Sequence, residues 1–240
     1  MAKDKTKRTL TVIQIVLAVL VVVGLGWIAF KVVGYNQAQR VYQEMQKAYA
    51  AEPVDGDPSS IDFAKLQETY PNVVGWLKMD DVDISYPIVK GEDNDYYLYN
   101  GADGQPNIDG GIFMDYRNKS FDDLHVLVYG HNMLDESMFG QLDEYVSEQF
   151  YNKGTGSFTI FTPNASYRYQ IFATNIVDAS DDIYQSGFQN QTVFGAFVKQ
   201  LKERSMYDTD VDVSGLDHVV TLSTCSANDR LVLSAKRLKG

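Results

Sequence analysis

From Leu10 to Phe30 the chain runs for 21 residues without a charged side chain. At about 1.5 Å per residue, a helix of that length spans roughly 31 Å, the thickness of a bilayer core. The segment before it carries Lys3, Lys5, Lys7 and Arg8 against Asp4, a local charge of +3 in a chain of net charge −11. A basic flank before the span and an acidic remainder after it set the N-terminus inside and the rest outside. A cleaved signal peptide starts the same way, but its apolar core is usually about 7–15 residues and a small-x-small site follows closely. The nearest such site here, Ala48-Tyr49-Ala50, lies 18 residues beyond Phe30. The reading is therefore an uncleaved signal anchor. It divides the chain into a cytoplasmic basic segment (1–9), a membrane span (10–30), a stalk helix and linker (31–58) and one extracytoplasmic domain (59–240).

After the span, Tyr35 to Ala51 lacks Gly and Pro and reads as a stalk helix. Glu52-Pro53-Val54-Asp55-Gly56-Asp57-Pro58 is a breaker cluster and the linker candidate. Ser59 or Ser60 is the expected cap of a short helix through Glu68, which Pro71 ends. From Val73 the pattern changes to short β-rich runs between turn residues: Val73–Leu77, Val82–Val89, Gly111–Met114, His125–Tyr129, Gly156–Phe161, Ser166–Val177, Val219–Thr224 and Leu231–Ala235. Eight short strands with Gly, Asn and Asp between them predict a closed or nearly closed barrel. Two helices, Met138–Phe150 and Thr192–Glu203, are expected to interrupt it.

The acidic balance argues against nucleic acid, since a phosphate-binding surface needs clustered Lys and Arg. The chain has one Cys and three His with no metal-ligand spacing, so no metal and no cofactor is expected. A lone Cys outside the membrane has no intramolecular partner. Taken alone, Cys225 reads more readily as a small buried hydrophobe than as a nucleophile. Its neighbours change that balance. Cys225 ends the run Thr221-Leu222-Ser223-Thr224, and after four intervening residues Arg230 opens another apolar run. In a hairpin with a four-residue loop the two would be opposed, with Cβ atoms roughly 4.5–5.5 Å apart. A guanidinium there would favour the thiolate and donate to an oxyanion. His131 sits at the exit of Val126-Leu127-Val128-Tyr129-Gly130, a loop position that sites commonly occupy. His125 and His218, each opening a strand, read as polar residues satisfied within the sheet.

These residues and several motifs together resemble the class B sortases, cell-wall transpeptidases of Gram-positive bacteria. The similarity runs through Asn72-Val73-Val74-Gly75-Trp76-Leu77, Asp93-Asn94-Asp95-Tyr96-Tyr97-Leu98, Gly111-Ile112-Phe113-Met114-Asp115-Tyr116-Arg117-Asn118, Tyr129-Gly130-His131-Asn132-Met133 with Met138-Phe139-Gly140, and Thr221-Leu222-Ser223-Thr224-Cys225. The resemblance implies a mainly β fold: an eight-stranded sortase barrel with N-terminal helices and an added helix before the Cys-bearing strand. It implies catalysis by His131, Cys225 and Arg230, and a peptide groove lined by Asn94, Leu98, Ile183, Tyr184 and Ser223. The expected substrate is a surface protein with a Thr-containing sorting motif, the Asn-Pro-x-Thr type favoured. The expected acceptor is a peptidoglycan precursor amine or, alternatively, a pilin Lys. Many family members have more than four residues between the Cys and the Arg, a departure that bears on substrate contacts from that side.

Rival readings fit the sequence less well. Papain-like enzymes place the Cys before the His, whereas His131 precedes Cys225 by 94 residues. An anchored adhesin or sensor would account for the span and the strands. It would not account for His131, Cys225 and Arg230 together at strand ends.

Overall fold

The computed structural model describes residues 2–49, 61–225 and 229–239. Its eight strands are β1 (Val73–Met79), β2 (Ser85–Lys90), β3 (Ile112–Met114), β4 (His125–His131), β5 (Ser157–Phe161), β6 (Ser166–Asp178), β7 (Val219–Cys225) and β8 (Asp229–Arg237). They close into a barrel in the order β1-β2-β3-β4-β7-β8-β6-β5. The β2–β3 and β4–β7 pairs are parallel, and the others are antiparallel. Closure leaves no free sheet edge. The central strand β4 is covered on both faces, which is why Val126-Leu127-Val128-Tyr129 is a continuous apolar run and not an alternating one. Trp76, Phe113, Phe139 and Phe158 fill the main core.

Five helices decorate the barrel: α1 (Ala2–Tyr49), α2 (Phe63–Thr69), α3 (Tyr96–Tyr99), α4 (Glu148–Lys153) and α5 (Gln191–Glu203). The expected added helix is α5. Its buried face of Phe194, Phe197, Val198 and Leu201 packs on Phe172, Val219 and Val232 as a second core. Two helix expectations change. Met138–Phe150 is not one helix, because Met138 has φ 51° and the 3-10 segment Gly140–Val146 ends at Ser147. Ser147 then caps α4, its side chain accepting from the Phe150 N–H. The cap of α2 is Asp62, which accepts from Lys65 N–H at 3.1 Å. Ser59, Ser60 and the linker Glu52–Pro58 lie outside the described residues.

Helix α1 joins the expected span and stalk. Near its C-terminal end Ala38, Tyr42 and Met45 are buried on one face, with Tyr42 edge-on to Tyr86 of β2. Its large apolar side chains from Ile13 to Ile28 are 49–68% exposed, so the barrel covers none of them. Among the described residues no helix is long and apolar enough to cross a membrane. The side chains of Leu10, Thr11, Val12 and Phe30, at the two ends of the uncharged run, lie outside the described residues.

Candidate active site

The parallel ladder of β4 and β7 pairs His125 with Val219 at one end and His131 with Cys225 at the other. Neighbouring strands lie about 4.8 Å apart, so the register alone brings the backbones of residues 94 apart in sequence together. The antiparallel β7–β8 ladder pairs Ser223 with Val232. The same register carried two residues further sets Cys225 across from Arg230. Thr224 stitches this end of the hairpin: its Oγ1 accepts from Leu231 N–H at 2.9 Å and donates to the Leu231 carbonyl at 3.3 Å. The side chain of Cys225 and the loop residues 226–228 lie outside the described residues.

His131 Nε2 lies 2.8 Å from the Leu98 carbonyl. A carbonyl only accepts, so Nε2 is the donor in this bond. The half-buried ring rests on Gly110, where a methyl group would sit 2.9 Å from Cδ2. Arg230 is half-buried, its guanidinium carbon 5.6 Å from the centre of the Tyr184 ring. Its buried Nε has no hydrogen-bond partner among the described residues.

A cavity of about 370 Å³ joins these groups, lined by Asn94, Leu98, Tyr129, His131, Tyr184 and Arg230 among others. Of the five groove residues expected from sequence, Asn94, Leu98 and Tyr184 line it. Ser223 is fully buried and reaches the groove through Tyr184, whose hydroxyl lies 3.0 Å from its Oγ. Ile183 does not line the cavity. It is fully buried in the α5 core, because the 3-10 turn Asp182–Tyr184 turns it inward while Tyr184 lies over the groove. Much of Asn94 is committed to the turn after β3, accepting from Tyr116 N–H and donating to Asp115 Oδ2, both at 3.0 Å.

Behind the groove lies a polar group that the sequence reading quoted as a motif without giving it a role. Asp115 is fully buried and takes a fork of bonds from Arg117, 2.8 Å from Nε and 2.7 Å from Nη2. The Tyr129 hydroxyl adds a third bond at 2.9 Å. Burial by itself would raise the Asp115 carboxyl. The donors from Arg117, Asn94 and Tyr129 outweigh it and hold the group below the usual carboxylate range. Arg117, itself exposed, also reaches the Tyr184 carbonyl at 3.1 Å, so its pair with the buried Asp115 ties down the groove wall. Adjacent acid and base in Asp115-Tyr116-Arg117 was the available signal.

The other two histidines are structural. His125 is buried among Phe188, Phe194 and Phe197, with Nδ1 2.8 Å from the Gln185 carbonyl and Nε2 2.8 Å from Thr221 Oγ1. His218 Nδ1 faces the Asp123 carbonyl at 3.1 Å.

A family model described as the sortase domain matches residues 77–238. The sortase B of Listeria monocytogenes is 32% identical over 234 residues, covering 90% of this chain and 94% of that protein. The sortase B of Staphylococcus aureus is 27% identical over 98% of this chain and 99% of its own length. The crystal structure of sortase B from Bacillus anthracis in complex with AAEK1 superposes with a TM-score of 0.78 at 34% identity, over 87% of this chain and 99% of that one.

Proposed function

The chain belongs to the sortase family as a sortase B-type cysteine transpeptidase, and from that premise we propose that Cys225, His131 and Arg230 carry out the two acyl transfers. The observation that carries this reading is the register that ends β4 and β7 on His131 and Cys225, with Arg230 on the adjoining strand. The Cys225 sulfur attacks the carbonyl carbon of the sorting-motif Thr. The carbon–nitrogen bond breaks, and the departing amine takes a proton from His131. An incoming amine then gives a proton to His131, attacks the thioester and releases the Cys225 thiolate. Arg230, with a buried Nε not engaged by described residues, donates to the oxyanion formed in each step.

The sorting peptide lies along Leu98 and Tyr184, with Asn94 at the loop edge. Ser223 and Ile183 hold Tyr184 from behind. The motif is of the Asn-Pro-x-Thr type, and the acceptor is a peptidoglycan amine, so that the product is a surface protein on the cell wall. Residues 10–30 anchor the enzyme in the membrane with the barrel outside. The uncovered apolar surface of α1 between Ile13 and Ile28 supports this placement.

The deciding experiment is Cys225→Ala. The variant is expected to fold, to turn over no sorting peptide and to trap no thioester. Residual transpeptidation by the purified variant overturns the assignment. With the wild-type enzyme, Asn-Pro-x-Thr peptides are expected to be cleaved in preference to Leu-Pro-x-Thr peptides in competition.

A further inference from the structure

The barrel-proximal part of α1 closes over the segment between α3 and β3, and that segment holds His131. Asn107 Nδ2 donates to the Ala38 carbonyl at 3.1 Å. The Tyr42 hydroxyl donates to the Gly110 carbonyl and accepts from Ala102 N–H. A further tie joins Gln39 Nε2 to Asp109 Oδ2 at 2.6 Å. Asp109 is fully buried, and its other oxygen has no hydrogen-bond partner among the described residues. An unpaired buried carboxylate oxygen costs stability, so a carboxylate retained here calls for a reason beyond packing.

The neighbourhood supplies one. Gly110, the next residue, supports the His131 ring, and the carbonyl that fixes Nε2 belongs to Leu98 at the end of α3. Asp109 also feels the charge on His131. Burial pushes its carboxyl up to about 6, while the Gln39 hydrogen bond and the His131 charge pull the other way. At neutral pH the group is still mainly ionised.

We propose that Asp109, gripped by Gln39 of α1, is a positioning residue for His131: it fixes the turn whose Gly110 seats the imidazole. The inference rests on the reading of His131 as the proton-transfer group. It gives the helix that leaves the membrane a part in the chemistry. The titratable groups facing Asp109 are Tyr42 from α1, Tyr86 from β2, and His131 and Asp135 from β4 and the loop after it. Both tyrosines are held neutral, chiefly by burial. His131 is paired with Cys225 along the β4–β7 ladder and shares its cavity with Asp95 and Arg230.

The test uses the full chain in detergent, with kcat and KM for a sorting peptide measured alongside the melting temperature. Asp109→Asn is expected to lower kcat about tenfold, a fraction of what proton transfer contributes, with KM nearly unchanged. Gln39→Met leaves the carboxylate but removes its tie to α1, and should lower kcat in the same way by less. A folded Asp109→Asn enzyme with wild-type kcat, or one whose loss lies in KM, overturns the proposal. If Asp109→Asn does not fold, Gln39→Met at a half-buried helix position decides alone, and a wild-type kcat there overturns the proposal. His131→Ala separates the two layers. Turnover without the imidazole sinks the reading of His131 itself. A dead His131→Ala beside Asp109 and Gln39 variants of wild-type kcat sinks only this inference.

Discussion

Replacing Gly110 by Ala tests how closely the segment before β3 sets the catalytic geometry. Gly110 has φ 60°, and a methyl group there would meet the Tyr97 carbonyl oxygen at 2.7 Å, His131 Cδ2 at 2.9 Å and the Leu98 carbonyl oxygen at 3.0 Å. The left-handed backbone costs a side chain about 1–2 kcal/mol. The contacts add about 1–3 kcal/mol, because two of the three neighbours are backbone and yield only by moving α3. Gly104, on the same segment, has φ 75°, and a methyl group there meets only the Tyr96 hydroxyl at an ordinary 3.5 Å. Gly104→Ala therefore carries the backbone cost without the collision, and the difference between the two variants isolates the contacts. At about 2–4 °C per kcal/mol, Gly110→Ala should melt roughly 2–12 °C below Gly104→Ala. Its activity should fall much further. Relieving the 2.9 Å and 3.0 Å contacts shifts the ring or its Leu98 acceptor by several tenths of an ångström. A displacement of about 1 Å at a reacting group costs on the order of 10²-fold in rate. The assay is peptide turnover and thermal melting on the same samples. A folded Gly110→Ala enzyme turning over as fast as Gly104→Ala would refute the idea that this segment holds His131 in place.

Arg230→Lys keeps the charge but loses the fork of donors, so turnover should fall about 10²–10³-fold. Its melting temperature should stay close to wild type, and near-normal turnover would remove the oxyanion role. Deleting residues 1–30 should leave a soluble, active enzyme, because the first buried side chain of α1 among the described residues is Ala38. Loss of peptide turnover in that truncation would show that the anchor itself supports the fold. His125 is a pH-dependent element of stability: burial lowers its pKa to about 4, from an ordinary value of 6.5. The unfolded chain takes up this proton first, so the stability is complete above about pH 6.5 and is lost as pH falls toward 4. The loss amounts to about 2 kcal/mol at pH 5. Denaturant unfolding of His125→Gln should lack that component. Comparing variant with parent cancels Asp109, whose raised carboxyl works in the opposite direction. Equal acid sensitivity in the two would place the proton uptake elsewhere.

All eight strands could be read locally, because runs such as Val126-Leu127-Val128-Tyr129 and Val219-Val220-Thr221-Leu222 are rich in β-branched residues and bounded by turn residues. The closing hairpin was legible in part: the β7–β8 ladder joins neighbouring sequence, pairing Ser223 with Val232, whereas the side chain of Cys225 and residues 226–228 lie outside the described residues. Helix α5 was legible from its apolar face, whereas the break at Ser147 was not. There a side chain capping the next helix competes with continuing the previous one, and periodicity alone does not separate the two. What remained hidden depends on contacts between distant segments. The sequence placed His131 and Cys225 at strand ends, but only the parallel β4–β7 ladder made those ends the same end of the barrel. The inward turn of Ile183 follows from the packing of α5 beneath it. The tie from Gln39 to Asp109 spans 70 residues and pairs two side chains with no shared motif. Local propensity is written in neighbouring residues. A buried charge, a tautomer or a groove wall is decided by whichever distant groups the closed barrel presses against it.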